Sequence, residues 1–279
     1  NPGRDRLVWS AGHCTPLLFA TLALIYESYR GQGVNFNKED LQAVLPEDLV
    51  RFRHWGGPAG HVESRYPLAD ATTGSSGHGF SVSLGLALLH KSCGLNTKVF
   101  VLAGDAETEE GMSYEARNII NTLGIDNIII SLDHNNFGID GPITEVISSP
   151  YLHHWFFPGF NIIEVDGHNV LELAYAYKKA SQGFGNNKAT VVICHTTKGK
   201  DYGKLQGTCD SHGTPLPHAE YVEAMKGINI HGCSGVFRKQ IGLLFTITTH
   251  VHLNHGTITH ELRTIFAQNG HEISPRDAI

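Results

Sequence analysis

The chain has 279 residues, a mass of 30.5 kDa and 41% hydrophobic residues, which suits one large α/β domain or two small ones with a sizeable core. A formal net charge of −6 and a pI near 6.3 argue against a general binder of nucleic acid or of anionic membranes, so any phosphate in a ligand must be neutralised locally. Five scattered cysteines (Cys14, Cys93, Cys194, Cys209, Cys233) show neither a disulfide framework nor a zinc ribbon, and a reducing cytoplasm is their simplest setting. The longest apolar runs, Pro16 to Ile25 and Asn127 to Leu132, are too short to span a bilayer.

In chain order, the spacing predicts a helix over Leu17 to Tyr29 with a glycine stop at Gly31 and Gly33. Residues 34–70 read as loop, punctuated by Gly56, Gly57, Pro58 and Gly60. The glycine-rich run from Thr72 to Gly79 then opens an apolar helix from about Phe80 to His90. A strand over Val99 to Ala103, a helix over Gly111 to Leu123 and a strand over Ile128 to Leu132 form one βαβ unit. A strand over Asn161 to Val165, a helix over Val170 to Ser181 and a strand over Ala189 to Cys194 continue the alternation. This is the pattern of an α/β fold: a mainly parallel sheet with helices on both faces. Residues 196–218 are glycine-rich and polar. Residues 1–226 therefore read as one domain, and 227–279 as an irregular C-terminal extension or linker, although Gln240 to Val251 is apolar and β-branched.

The chemistry concentrates where the βαβ strands end. Asp105 follows the first strand and Asn135 the second, so both lie at the edge of the sheet where ligands of open α/β folds collect. One carboxylate, one amide oxygen and the carbonyl of Phe137 would hold a magnesium ion and leave positions for a diphosphate and a water. The plainer reading of the same residues is that Asp105 caps a helix and Asn135 makes a turn. Gly74, Gly77 and Gly79 can turn backbone N–H groups toward a phosphate at the start of the next helix, or can simply let that helix pack closely. No GxGxxG follows a strand, which argues against a nicotinamide dehydrogenase. His250, His252, His255 and His260 lack the spacing of a metal site and read as a solvated tail.

Taken together, the motifs resemble the thiamine-diphosphate-binding amino-terminal domain of transketolase, from Arg4 to about Lys226. The blocks that carry the resemblance are Ser10-Ala11-Gly12-His13, Gly60-His61-Val62-Glu63, Thr72 to Gly79, Gly104-Asp105-Ala106 with Glu110-Gly111 and Glu115-Ala116, Leu132 to Asn135 with Ile139-Asp140-Gly141, Asp166-Gly167-His168, and Ser211 to Leu216. The resemblance implies the thiamine-diphosphate-binding fold, with Asp105, Asn135 and the Phe137 carbonyl on magnesium (calcium or manganese in its place). Gly74, Ser76, Gly104, Ala106, Glu110 and His212 would then line the cofactor. It implies that His13, His61 and His212 face the reacting end of thiamine diphosphate and the sugar, where a histidine can hydrogen-bond hydroxyls and move protons. Glu110 and Glu115 would lie near a contact between subunits.

The implied reaction is transfer of a two-carbon ketol unit between sugar phosphates, as in pentose phosphate metabolism, by a homodimer or a heteromer. The sequence departs from the family at Ala106, Ser76, His78 and Cys209. The family's pyrimidine-binding domain, whose glutamate activates the cofactor, is also not in this sequence. The chain alone should therefore bind half of the cofactor and be inactive, with that domain supplied by another chain or a missing segment. The competing reading is a non-catalytic scaffold or regulatory paralogue that keeps the fold and the dimer surface.

Overall fold

A computed structural model describes residues 2–146 and 152–227. Two units divide the chain, residues 1–23 with 36–227 and residues 24–35 with 228–279. Within the first unit, five strands form one sheet: β1 (Arg6–Trp9), β2 (Val99–Gly104), β3 (Ile128–His134), β4 (Asn161–Asp166) and β5 (Thr190–His195). The strand order is β1-β2-β3-β5-β4 and every pairing is parallel. Gly104 is in register with Asp133, and His134 with His195, so the chain leaves β2, β3 and β5 at one common edge.

Alternation along the strands sends side chains to two cores. Val99, Val101, Ile128, Ile130, Leu132, Val191 and Ile193 pack under α2 (His78–Ser92), α3 (Gly111–Thr122) and α5 (Leu152–Phe156), together with Phe80, Leu84, Ala116, Ile120 and Phe156. Each large side chain buried there contributes roughly 1.5–3 kcal/mol. Ile129, Val165, Val192 and Cys194 pack on the other face against Ala176 and Ala180 of α6 (Val170–Gln182). Burial on both faces explains why these strands read as unbroken apolar runs.

The expected elements are all present with shifted ends. Helix α1 runs Thr15–Gly31, α2 begins two residues early at His78, and β3 continues past Leu132 to His134, directly before Asn135. Four strands and α-helices stand where the sequence pattern shows none. They are β1, the four-residue helix α4 (Ile143–Val146), α5 and α7 (His218–Gly227). Strand β1 is held by long-range polar contacts: Asp70 accepts a hydrogen bond from the Leu7 N–H at 2.9 Å and pairs with Arg4, and the Trp9 indole N–H donates to the Leu68 carbonyl at 2.7 Å. The loop reading of 34–70 holds apart from a 3-10 turn at Pro46–Arg51. The proposed extension 227–279, with Gln240 to Val251 and the His250 to His260 cluster, lies outside the described residues after Gly227.

Candidate active site

Asp105 begins a 3-10 turn at the end of β2 and is 1% exposed. Its Oδ1 accepts the Ala106 N–H at 2.9 Å, and its Oδ2 accepts the Asn136 N–H at 2.6 Å and faces His134 Nδ1 at 3.3 Å. A carboxylate from the end of β2 is thus fastened to the loop after β3. No lysine or arginine pairs with it among the described residues, so its charge is open to a cation. Ala106 adopts no positive φ, and the methyl that replaces the family's second glycine is accommodated without backbone strain.

The Asn135 loop is held by its own hydrogen bonds. The Asn135 Nδ2 donates to Asp133 at 2.8 Å, and Asp133 is held in turn by Thr196 at the end of β5. This fixes the amide with its Oδ1 accepting the Phe137 N–H at 3.0 Å. Asn136 takes a positive φ of 69°, which asparagine tolerates better than most residues, and Gly138 closes the loop onto the Gly141 carbonyl at 2.8 Å. Asn135 thus makes the turn expected of it, its Oδ1 accepting from the backbone two residues on. Among the described residues no cluster of three His, Cys, Asp or Glu side chains could hold a metal. The oxygens that Asp105, Asn135 and Phe137 could offer instead are a carboxylate, an amide and a carbonyl, a set that would suit a hard cation.

The glycine loop sits beside this edge. Gly12 has no room for a side chain: a Cβ there would lie 2.9 Å from the Thr73 carbonyl and Gly74 N, while a Cβ on Gly79 would lie 2.3 Å from Ser10 Cα. Gly79 therefore serves close packing. The Gly77 N–H, an expected phosphate donor, is taken by Glu107 at 3.0 Å and is corrected to a structural contact. Gly74 remains open and faces the His61 ring, and Ser76 lies exposed in the same loop. Gly104 donates its N–H to Glu107 Oε2, and Glu110 packs its side chain against Gly77.

Glu107 is a residue the motif reading missed. Buried to 3% exposure, it accepts hydrogen bonds from Ser10 Oγ at 2.7 Å, Gly77 N–H at 3.0 Å and Gly104 N–H at 2.7 Å, joining the ends of β1 and β2 to the start of α2. Burial pushes its carboxyl above the usual glutamate range, and the three hydrogen bonds pull part of that back. The available signal was its place three residues after Gly104, the reciprocal half of a capping box.

His13 and His212 come together, with ring centroids 4.9 Å apart, and His61 lies close enough for its charge to reach His13. Burial first, then the neighbouring His212, Lys198 and His61, hold His13 below the usual histidine range, and burial and Lys198 do the same for His212. The shift favours the neutral imidazole in both, a form able to accept and to donate. Lys198 is the second residue the sequence reading missed. Its half-buried Nζ donates to the Phe137 carbonyl at 3.4 Å and to His212 Nδ1 at 3.2 Å. Nearby Cys14 is pushed up to about 11 by burial and the charges of Glu107 and Asp133, so it is an inert thiol at neutral pH.

The family model for the transketolase thiamine-diphosphate-binding domain matches residues 1–235. The chain belongs to this family. Among its relatives, one of the subunits of apulose-4-phosphate transketolase from Phocaeicola vulgatus is 30% identical over 81% of this chain and 75% of its own length. The 6-deoxy-6-sulfo-D-fructose transketolase subunit SqwG of a Clostridium species is 30% identical over 83% and 80%. Campylobacter jejuni transketolase superposes with a TM-score of 0.68 at 30% identity, covering 81% of this chain and 35% of that one. A Pichia stipitis transketolase bound to sedoheptulose 7-phosphate gives 0.72 at 25%, covering 96% and 40%. The transketolase-family chain thus spans most of the two subunits but less than half of the two solved transketolase chains. The parallel α/β fold read from the sequence is the fold of this family.

Proposed function

We propose that the chain binds a divalent cation and the diphosphate of thiamine diphosphate, and that in a completed assembly it transfers a two-carbon ketol unit from a ketose phosphate to an aldose phosphate. The observation that carries the reading is the 2.6 Å contact from Asn136 N–H to the buried Asp105 carboxylate, which sets the acid and the Asn135 amide on one edge. Asp105, Asn135 Oδ1 and the Phe137 carbonyl would hold magnesium, with calcium or manganese as substitutes. Gly74, Ser76, Gly104, Ala106, Glu110 and His212 would line the cofactor. When bound, thiamine diphosphate supplies the carbanion stabilisation that such a transfer needs.

The protein's own part is orientation and proton handling. His13 and His212, both held toward the neutral form, suit hydrogen bonding to sugar hydroxyls and holding a proton at an imidazole nitrogen, with His61 in the same role. Residues 1–226 form the cofactor-binding domain in this reading. The names of two relatives, both subunits, support a heteromer in which another chain supplies the pyrimidine-binding half; a further segment or a second copy would do the same. Among the described residues Cys14, Cys93, Cys194 and Cys209 are free thiols, in keeping with a cytoplasmic setting, and no described helix is long and apolar enough to cross a membrane.

The test is a transfer assay with a panel of ketose phosphate donors and aldose phosphate acceptors. Turnover is expected in the completed assembly and not in the 279-residue chain alone. Ordinary turnover by the chain alone would contradict the divided site, and an assembly that binds cofactor without turnover would favour the scaffold reading.

A further inference from the structure

A cleft of about 400 Å³ opens between the turn at residues 37–42 and the loop at 51–58, and it shares no lining residue with the Asp105 and Asn135 edge. Its size falls in the range of small-molecule sites, about 300–1,000 Å³. Ala43, Val44, Pro58 and Tyr66, all buried, give it an apolar wall. Of the charged side chains that line it, Lys38 holds Asp48 at 2.7 Å, and Arg65 holds Glu63, just outside, at 2.6 Å. Two charges are left over, and they are opposite in sign: neither Arg51 nor Glu39 forms an ion pair among the described residues. The Arg51 charge reaches Asp48 only from farther off than Lys38 does.

Both residues stand on fastened backbone. The Arg51 carbonyl accepts the His54 N–H at 2.9 Å, the Arg53 N–H closes the loop onto the Pro58 carbonyl at 2.8 Å, and a Cβ on Gly57 would lie 2.0 Å from the Arg51 carbonyl oxygen. The Glu39 N–H donates to Asn37 Oδ1 at 2.9 Å, and its carbonyl accepts from the Gln42 side chain at 2.7 Å. Gln42 and Arg53 take positive φ values of 47° and 63°, a costly conformation that only a well-tied loop maintains. The Arg51 guanidinium spends one donor on the Trp55 carbonyl at 2.8 Å, which leaves the rest of its fork for a carboxylate. We propose that this cleft binds a zwitterionic α-amino acid with an aliphatic side chain, its carboxylate on Arg51, its ammonium on Glu39 and its hydrocarbon on Val44 and Pro58. A simple anion would leave Glu39 unpaired and be repelled by it, and a simple cation would meet the same obstacle at Arg51, whereas a ligand carrying both charges satisfies both.

Three probes titrated into the full chain, followed by ligand-observed nuclear magnetic resonance, test it: L-leucine, isocaproate, which is leucine without its ammonium, and isoamylamine, which is leucine without its carboxylate. Leucine is expected to bind about tenfold tighter or more than either of the others, the worth of one charge-assisted hydrogen bond. Arg51→Gln should weaken leucine and isocaproate by a similar factor and leave isoamylamine unchanged. Glu39→Gln should weaken leucine and isoamylamine and spare isocaproate. This crossed pattern is the signature, since a misfolded variant would weaken all three. Asp105→Ala should leave leucine affinity unchanged, which keeps the result separate from the cofactor reading. No binding of leucine at millimolar concentration, isocaproate binding as tightly as leucine, or leucine affinity unmoved by either substitution in the cleft would overturn the inference.

Discussion

Replacing Glu107 by glutamine keeps the volume and removes the charge, and its cost can be worked from three contacts. Oε1 serves both Ser10 and Gly77, so the amide oxygen of the introduced side chain should take that position. The amide nitrogen then faces the Gly104 N–H, donor against donor, and one buried N–H loses its partner. An orphaned buried donor costs about 1–3 kcal/mol, and the two remaining bonds lose charge assistance. Relief of a buried charge offsets part of this, leaving a net loss of about 2 kcal/mol, or roughly 4–8 °C in Tm for a protein of this size.

The pH dependence has a definite sign. Because the folded-state pKa of Glu107 lies above its unfolded value, its contribution is full below the ordinary glutamate range and declines as pH rises through the raised folded value. Glu107→Gln removes that dependence, so the stability gap between the two proteins should be widest at the acid end and narrow with rising pH. Urea unfolding followed by tryptophan fluorescence at several pH values measures both. A variant as stable as its parent, or a gap that widens with pH, would refute the reasoning.

Asp70 has the opposite linkage: burial would raise its pKa, but hydrogen bonds from Arg4 and the Leu7 N–H, with the charges of Arg4 and Arg6, bring it below the usual range. Its contribution is full above the ordinary aspartate range and is lost as pH falls through the lowered folded value. Asp70→Asn should therefore cost about 1 kcal/mol at pH 7, limited by solvent screening around the half-exposed Arg4, and less at acid pH; urea unfolding at two pH values checks it. Gly79→Ala should cost about 3 kcal/mol, since its Cβ meets Ser10 backbone at 2.3 Å. Gly85→Ala, within the same helix but with nothing within 4 Å, should instead stabilise by about 0.5–1 kcal/mol in the same assay.

The parts of the fold legible in the sequence are those with strong local signals. The apolar runs of β2, β3 and β5 are buried on both faces, and Ser113, Ala116 and Ile120 mark the inner side of α3 at helical spacing. Asp105 and Asn135 stood out because each directly follows such a run. Strand β1 did not, because Arg6-Leu7-Val8-Trp9 is only four residues long and is defined by its pairing with β2, far along the chain. Glu107 lies in an acidic run with Glu109 and Glu110; its spacing from Gly104 signals only the local cap, and the bonds from Ser10 and Gly77 depend on the fold. Lys198 sits in a polar stretch without pattern, and its meeting with the Phe137 carbonyl depends on β5 lying next to β3.

The central claim is that Asp105, Asn135 and Phe137 share one cation. Anomalous diffraction from crystals of the protein grown with manganese and pyrophosphate tests it most directly. The account predicts a single strong peak between Asp105 Oδ, Asn135 Oδ1 and the Phe137 carbonyl, with pyrophosphate oxygens on the same ion, and no peak there in Asp105→Ala. Manganese bound elsewhere, or a peak that survives loss of the Asp105 carboxylate, would contradict it.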